Sequence, residues 1–398
     1  MSRAFLIVMD SVGCGGAPDA KGFGDEGANT LGNILQTCDE GGAETGREGP
    51  LYLPNLKSLG LGSVLKLSTG LKSKTLTEEP KGLWGVAREQ SPGKDTPTGH
   101  WELCGVTLPW EWHYFKNKEV SFPKQIIDLI KEESKCDGVL GNCHASGIQI
   151  IEKFAEEHSL TGWPICYTSA DSVLQIAAHE ESYGLQRLKT LCSKVAPALH
   201  AMKVGRVIAR PFVGNVIDGF TRTVNRQDFS LEPPSETLCD WALEAGREVN
   251  ALGKISDIFP AEGMTLVGKG SDKELMLQLN DLLHHAGDGS LNLINFVEFD
   301  SLYGHRRDVA GYARHLEWFD FELTNVLKKA KSDDLIIFTA DHGNDPTWVG
   351  TDHTREQVPV LGVGAGIKAI GQVNFIDVAA SIACFLGIKN KGSGVSFL

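Results

Sequence analysis

Seven side chains in two separated stretches have the types and spacing to handle anionic phosphate. Asp10 and Thr96 lie near the front; Asp300, His305, Asp341, His342 and His353 lie near the back. The late group sits in E-F-D-S-L-Y-G-H (Glu298 to His305), T-A-D-H-G-N-D (Thr339 to Asp345) and D-H-T (Asp352 to Thr354). A phosphate ester repels nucleophiles until cations neutralise its oxygens, and two ions about 3.5–4 Å apart can hold both the attacking and the leaving oxygen. Three carboxylates and three imidazoles supply three ligands to each of two ions and leave positions for a nucleophile and a phosphate oxygen. Mixed oxygen and nitrogen donors suit Mn²⁺ or Zn²⁺, whereas Ca²⁺ takes oxygen alone. A threonine hydroxyl attacks poorly until an ion or base lowers its pKa, and a divalent ion does this for water, from about 15.7 toward about 7.

These residues need elements that end at one rim. Phe5 to Met9 is a continuous apolar run, as in a parallel sheet covered on both faces, and Asp10 stands at its C-terminal end, where open α/β sheets bind ligands. Leu293 to Val297 leads in the same way to Asp300, and Leu335 to Phe338 to Asp341. Between these late strands, Tyr312, Leu316, Phe319, Leu323 and Val326 recur at steps of four and three, the apolar face of a crossover helix. Strand, helix, strand predicts a parallel sheet. Val358 to Val363 and Phe375 to Leu386 repeat the order.

The middle of the chain differs. A Trp- and Pro-rich loop (108–123) leads to a helix signalled by Ser121 and Pro123 and continued by Ile126, Ile127 and Ile130. Helical stretches at 148–158 and 185–195 alternate with strand-like 165–168 and 205–209, and Pro233 and Pro234 punctuate the return. The expectation is an α/β cap over 111–235, inserted into a core built from 1–110 and 236–398.

A length of 398 residues favours two domains, and 41% hydrophobic residues suffice for a core. A net charge of −13 argues against nucleic-acid or anionic-membrane partners, because no basic surface would release counterions. An anionic substrate then needs local cationic help. The nine cysteines include no C-x-x-C pair and read as reduced thiols, with Cys143 beside His144 incidental. The N-terminal apolar run is too short for a signal peptide or membrane span. The chain reads as cytoplasmic, with no obligate protein partner.

In S-P-G-K-D-T-P-T-G-H-W-E (Ser91 to Glu102) a hydroxyl precedes a predicted helix, and the segment alone could be only an N-cap. Gly93-Lys94 is not a phosphate loop, since Arg88 stands where its first glycine belongs and Asp95 follows the lysine. The glycines from Gly362 to Ile367 lack dinucleotide-binding spacing and read as a strand-end turn.

K-D-T-P-T-G-H-W-E, F-D-S-L-Y-G-H-R-R-D, T-A-D-H-G-N-D, T-D-H-T-R-E and the opening V-M-D-S-V-G-C-G-G-A-P-D-A resemble the phosphopentomutases of the alkaline phosphatase superfamily, along essentially the whole chain. The resemblance implies an alkaline-phosphatase-like α/β core, its mainly parallel sheet flanked by helices, with an inserted α/β cap. It implies interconversion of ribose 5-phosphate and ribose 1-phosphate, and of the 2-deoxyribose equivalents, in nucleoside salvage. The implied route is a phosphothreonine enzyme and a 1,5-bisphosphate, with two Mn²⁺ ions and a sugar bisphosphate activator such as glucose 1,6-bisphosphate. Asp300, His305 and His353 would hold one ion; Asp10, Asp341, His342 and the Thr96 oxygen the other. The related phosphoglycerate mutases carry N-S-E-V-G-H, and aligning its Gly-His on Gly99-His100 puts the nucleophile on Thr96 rather than Thr98. Pro97 departs from the expected small or polar residue and excludes an amide contact to phosphate at that position.

In the expected cap, C-Y-T-S-A-D-S-V (Cys166 to Val173) resembles a family segment whose acid, here Asp171, faces the ribose hydroxyls; locally it could equally be an N-cap for a helix over Val173 to Ala178. Four arginines follow, and arginine forks suit phosphate. The resemblance favours Arg210 and Arg226 as substrate contacts, aided by Lys254, and leaves Arg206 and Arg222 to surface charge or ion pairs. Two rivals are a phosphoglycerate mutase or plain phosphatase, against which the threonine motif and cap arginines stand, and a silent binding protein, which would have lost a ligand.

Overall fold

The segment A-F-L-I-V-M, Ala4–Met9, has no polar residue on either side of its pleat and is buried on both faces, so it can lie only inside a sheet. The computed structural model describes residues 2–169, 171–259 and 263–398. The chain divides into two units, Met1–Pro109 with Pro233–Leu398, and Trp110–Glu232.

The first unit holds an eight-stranded sheet in the order Leu266–Gly268, Val249–Leu252, Leu291–Phe296, Ala4–Met9, Leu335–Thr339, Val358–Val363, Leu83–Arg88, Lys368–Asn374. Only Val358–Val363 runs against its neighbours, so the sheet is mainly parallel. Ala4–Met9 pairs in parallel with Leu291–Phe296 on one side and Leu335–Thr339 on the other. The three strands expected to deliver carboxylates are therefore adjacent. The crossover helix is Val309–Lys329, and Tyr312, Leu316, Phe319, Leu323 and Val326 are fully buried along one stripe, as their spacing predicts. Phe319 meets Phe296 edge to face at 5.1 Å, locking helix to strand.

The second unit has its own sheet, Leu140–His144, Ile165–Thr168, Val173–His179, Arg206–Asn215 and Gly219–Arg222 in that order, with Gln227–Ser230 pairing the start of Arg206–Asn215. Helices Lys124–Ser134 and Leu185–Ala201 contribute to one apolar cluster, and Gly147–Thr161 to another. The helix allowed for Val173 to Ala178 is instead a strand, Val173–His179. All seven of its residues are buried and it pairs on both sides, so tertiary packing overrides the local capping signal.

Gly364 and Gly366 take positive φ (91° and 76°) between Val358–Val363 and Lys368–Asn374, as a turn requires. All nine cysteines are free thiols. Among the described residues no helix is long and apolar enough to cross a membrane.

Candidate active site

Three parallel strands end together, and their C-terminal turns carry the acids. The Asp10 amide donates to the Phe296 carbonyl at 3.0 Å, fixing the first turn against its neighbour. Ser11 then adopts φ +67°, unusual for a residue with a Cβ. That turn aims the Ser11 amide at Asp341 Oδ1 (3.0 Å) and its hydroxyl at the Tyr312 phenol (3.1 Å). After Leu291–Phe296 the chain makes one π-helical turn, Phe299–Gly304, which presents Asp300 and leads to His305.

Thr96 opens the helix Thr96–Leu103, with Asp95 as N-cap and Pro97 in the first turn. Asp95 accepts the Thr98 amide at 3.2 Å and the Thr98 hydroxyl at 2.8 Å. The carboxylate of Glu102 accepts the amides of Gln90 and Ser91, both at 2.7 Å, and docks the helix onto the loop before it. Thr96 Oγ1 lies 3.2 Å from His342 Nε2.

Seven predicted residues converge. Asp341 Oδ2 is 3.2 Å and Asp10 Oδ1 3.6 Å from His342 Nε2. Asp300 lies 3.1 Å from His305 Nε2 and 3.5 Å from His353 Nε2. The last two nitrogens are 3.2 Å apart, and the His342 and His353 rings stack at 3.9 Å. Two groups, Asp10 with Asp341 and His342, and Asp300 with His342 and His353, each bring three ligand atoms within 4.8 Å of one another. Lys254 Nζ stands 4.0 Å from Asp10 Oδ2.

The donor chemistry tests whether cations fit. Each of the three imidazoles turns Nδ1 to a main-chain carbonyl: His305 to Thr351 at 2.6 Å, His342 to Gly343 at 3.1 Å, His353 to Lys94 at 3.0 Å. A carbonyl only accepts, so Nδ1 carries the hydrogen, and each ring in its neutral form directs an Nε2 lone pair into the site. Those lone pairs face one another and the carboxylates. Buried Asp10 Oδ1 also lacks a hydrogen-bond donor. Divalent ions suit this set; further hydrogen-bond acceptors do not.

Without cations the acids and imidazoles perturb one another: burial opposes the charged ring, but the Asp300 hydrogen bond and charge raise the His305 pKa. Burial, then the Asp341 charge, lifts Asp10 to about 7. Burial also acts on Asp300 and Asp341, but their imidazole neighbours outweigh it and hold both below the usual carboxylate range. Burial drops His342 to about 4, keeping it neutral and free to ligate.

Sequence reasoning missed the residues that aim these ligands. His100 Nδ1 is shared between the Thr96 carbonyl (2.9 Å) and Asp341 Oδ2 (3.0 Å), while its Nε2 accepts from Asn295 at 3.2 Å. Asn295 also donates to Asp10 Oδ2 at 3.1 Å, so one network joins both carboxylates to the threonine backbone. Asn344 donates to Asp300 Oδ1 at 2.7 Å and accepts from Arg307. Glu356 accepts the amides of Gly15 and Thr30 and the hydroxyls of Thr30 and Thr354. A polar residue inside an apolar run, as in L-I-N-F, was the available signal for Asn295.

The remaining predicted residues, Asp171, Arg210 and Arg226, belong to the second unit. There Asp171 accepts from Arg206 at 3.3 Å, Arg210 donates to Gln175 at 2.9 Å, and Arg226 forms a bidentate pair with Asp228, both bonds 2.6 Å. Burial and then the Arg226 charge pull the Arg210 pKa down, a cationic crowding that an anion relieves.

Residues 2–390 match the model of the Metalloenzyme superfamily. The chain is 50% identical over 404 residues to the phosphopentomutase of Shewanella loihica and 49% identical over 406 residues to that of Rhizobium johnstonii, covering all of each. This chain belongs to the phosphopentomutase family. Membership makes it an enzyme of the isomerase class. Among solved structures, the PH0037 protein from Pyrococcus horikoshii aligns with 99% of both chains at TM-score 0.50 and 12% identity, a likeness of fold alone. The fold is α/β, with a mainly parallel sheet in the first unit and a mixed sheet in the second.

Proposed function

We propose that this protein interconverts the 1- and 5-phosphates of ribose and 2-deoxyribose through a phosphorylated Thr96 and a pentose 1,5-bisphosphate. The observation that carries this reading is the Thr96 hydroxyl, 3.2 Å from His342 Nε2 at the meeting of two ligand groups. When bound, two divalent ions, which we take to be Mn²⁺, would neutralise phosphate oxygens and lower the pKa of the attacking hydroxyl. Asp300, His305 and His353 would hold one; Asp10, Asp341, His342 and Thr96 Oγ1 the other.

The chain's own residues set the rest. Phosphothreonine gives its phosphoryl group to the free hydroxyl of the pentose monophosphate, whose proton is lost as Thr96 regains one. The bisphosphate turns over and returns the other phosphate to Thr96. Helix amides contribute little to that charge, because Pro97 has no N–H and the Thr98 amide is engaged by Asp95. Lys254 supplies a fixed positive charge beside Asp10 instead. Catalysis here is alignment and charge neutralisation, since the transferred group needs little covalent help.

The direct test is the mass of the tryptic peptide carrying Thr96, with and without glucose 1,6-bisphosphate. A phosphate on Thr96 that a pentose phosphate discharges supports the reading; phosphate found only on another residue overturns it.

Ion binding should depend on pH with a definite sign. Asp10 is protonated below about 7, and an entering cation must displace that proton. Mn²⁺ affinity is therefore expected to fall as pH drops below about 7, about tenfold per unit for one displaced proton. Calorimetric titration between pH 5.5 and 8 checks this, and a flat affinity contradicts it.

Asp171, Arg210 and Arg226 are proposed to recognise the pentose phosphate without touching the ions. Arg210→Ala and Arg226→Ala should keep both ions and still accept phosphate on Thr96, yet lose most conversion of ribose 5-phosphate, because remote binding groups align the reacting centre. Asp171→Ala should behave similarly, with more phosphoenzyme hydrolysis. Wild-type rates in all three variants would remove this role.

A further inference from the structure

Outside the ligand groups, one buried acid and one buried imidazole meet on the flank of the π-helical turn. Asp272 is the first residue of the helix Asp272–His285 and is 1% exposed; His315 lies on the crossover helix Val309–Lys329 and is 7% exposed. Asp272 Oδ1 accepts the Val297 amide at 2.9 Å, and its Oδ2 accepts the Glu298 amide at 3.1 Å. His315 Nε2 lies 2.8 Å from the same Oδ2. One carboxylate thus holds the two residues that enter the turn.

The imidazole grips the turn itself. Its ring contacts Phe299 edge-on at 4.5 Å and Tyr303 at 5.1 Å, and stacks on Trp318 at 4.8 Å. Phe299 and Tyr303 bracket Asp300. The Val297 carbonyl accepts the amides of Asp300 (3.2 Å) and Ser301 (3.0 Å), and the Asp300 carbonyl accepts the amide of His305 at 3.0 Å. The direction in which Asp300 and His305 present their ligand atoms therefore follows from where Asp272 pins residues 297 and 298.

We infer that Asp272 and His315 form a positioning pair that sets the Asp300 and His305 half of the metal centre. The inference rests on the two-ion reading above and deepens it. Asp272, Glu298 and His315 also lie close enough to hold an ion of their own. The hydrogen bonds argue against that use, because both Asp272 oxygens already accept donors and His315 Nε2 spends its proton on the carboxylate. A partner that orients metal ligands typically changes affinity about 10- to 100-fold when removed.

The experiment titrates Mn²⁺ into chelator-stripped, full-length protein and reads free Mn²⁺ by electron paramagnetic resonance, for wild type, Asp272→Asn, His315→Phe and His315→Gln. His315→Phe keeps the ring contacts and removes the donor; His315→Gln restores a donor. Wild type should take two ions. Asp272→Asn and His315→Phe should weaken one of them about 10- to 100-fold and leave the other within about threefold, with His315→Gln recovering most of the loss. If Asp272→Asn does not fold, the two His315 variants decide. Two unchanged ions in Asp272→Asn and His315→Phe overturn the inference alone. Equal weakening of both ions overturns it in favour of general loosening, and a third wild-type ion lost in Asp272→Asn overturns it in favour of a separate site. Fewer than two ions in wild type would fell the two-ion reading and this inference together.

Discussion

Thr96→Ala is expected to lose pentose phosphate interconversion by a factor on the order of 10⁴ or more, because removing a nucleophile removes the covalent route altogether. Thr98→Ala should keep a measurable fraction. The two hydroxyls stand two residues apart, but Thr98 Oγ1 donates to Asp95 Oδ2 at 2.8 Å, whereas Thr96 Oγ1 turns to His342 Nε2. Losing the Thr98 hydroxyl removes one hydrogen bond to the N-cap Asp95, a change usually worth about 1 kcal/mol, without touching the reacting oxygen. The check is a coupled assay of ribose 5-phosphate formation, run beside phosphorylation of residue 96. An active Thr96→Ala with an inactive Thr98→Ala would reverse the assignment.

Removal of divalent ions should be as severe. Chelation is expected to silence the enzyme, and Mn²⁺ to restore it better than Mg²⁺. Three imidazole nitrogens point into the site, and Mg²⁺ binds poorly to nitrogen and demands near-ideal octahedral oxygen. Asp341→Ala should lose activity even in excess Mn²⁺, since it also strips the acceptor that the His100 ring and the Ser11 amide hold. Full turnover in excess chelator would sink the two-ion site.

Much of this centre was legible because two of its acids, Asp10 and Asp341, stand just beyond unbroken apolar runs. Phe5 to Met9 and Leu335 to Phe338 can be buried only on both faces, which puts the acids just beyond these strands at the rim. The 309–329 helix was legible because one face repeats at 3.6. Lys368–Asn374 left no mark, being a half-exposed edge strand with little alternation. Val173–His179 was open to a helical reading because its strand character comes from neighbours on both sides. The network of His100, Asn295 and Asn344 escaped for a related reason. Such residues look like ordinary buried polar groups until partners about 200 residues away, as His100 is from Asn295, arrive beside them. The π-turn at Phe299–Gly304 has no sequence signature of its own.

The placement of Ala4–Met9 between Leu291–Phe296 and Leu335–Thr339 has a consequence during synthesis. The first strand made is flanked by two of the last, so a nascent chain carries a fully apolar segment with neither partner for most of its translation. At about 5–20 residues per second, that interval is roughly 15–60 s. The metal ligands share the delay, since Asp10 and Thr96 emerge long before Asp300, Asp341 or His353. Ion loading must therefore wait until nearly the whole chain has been made.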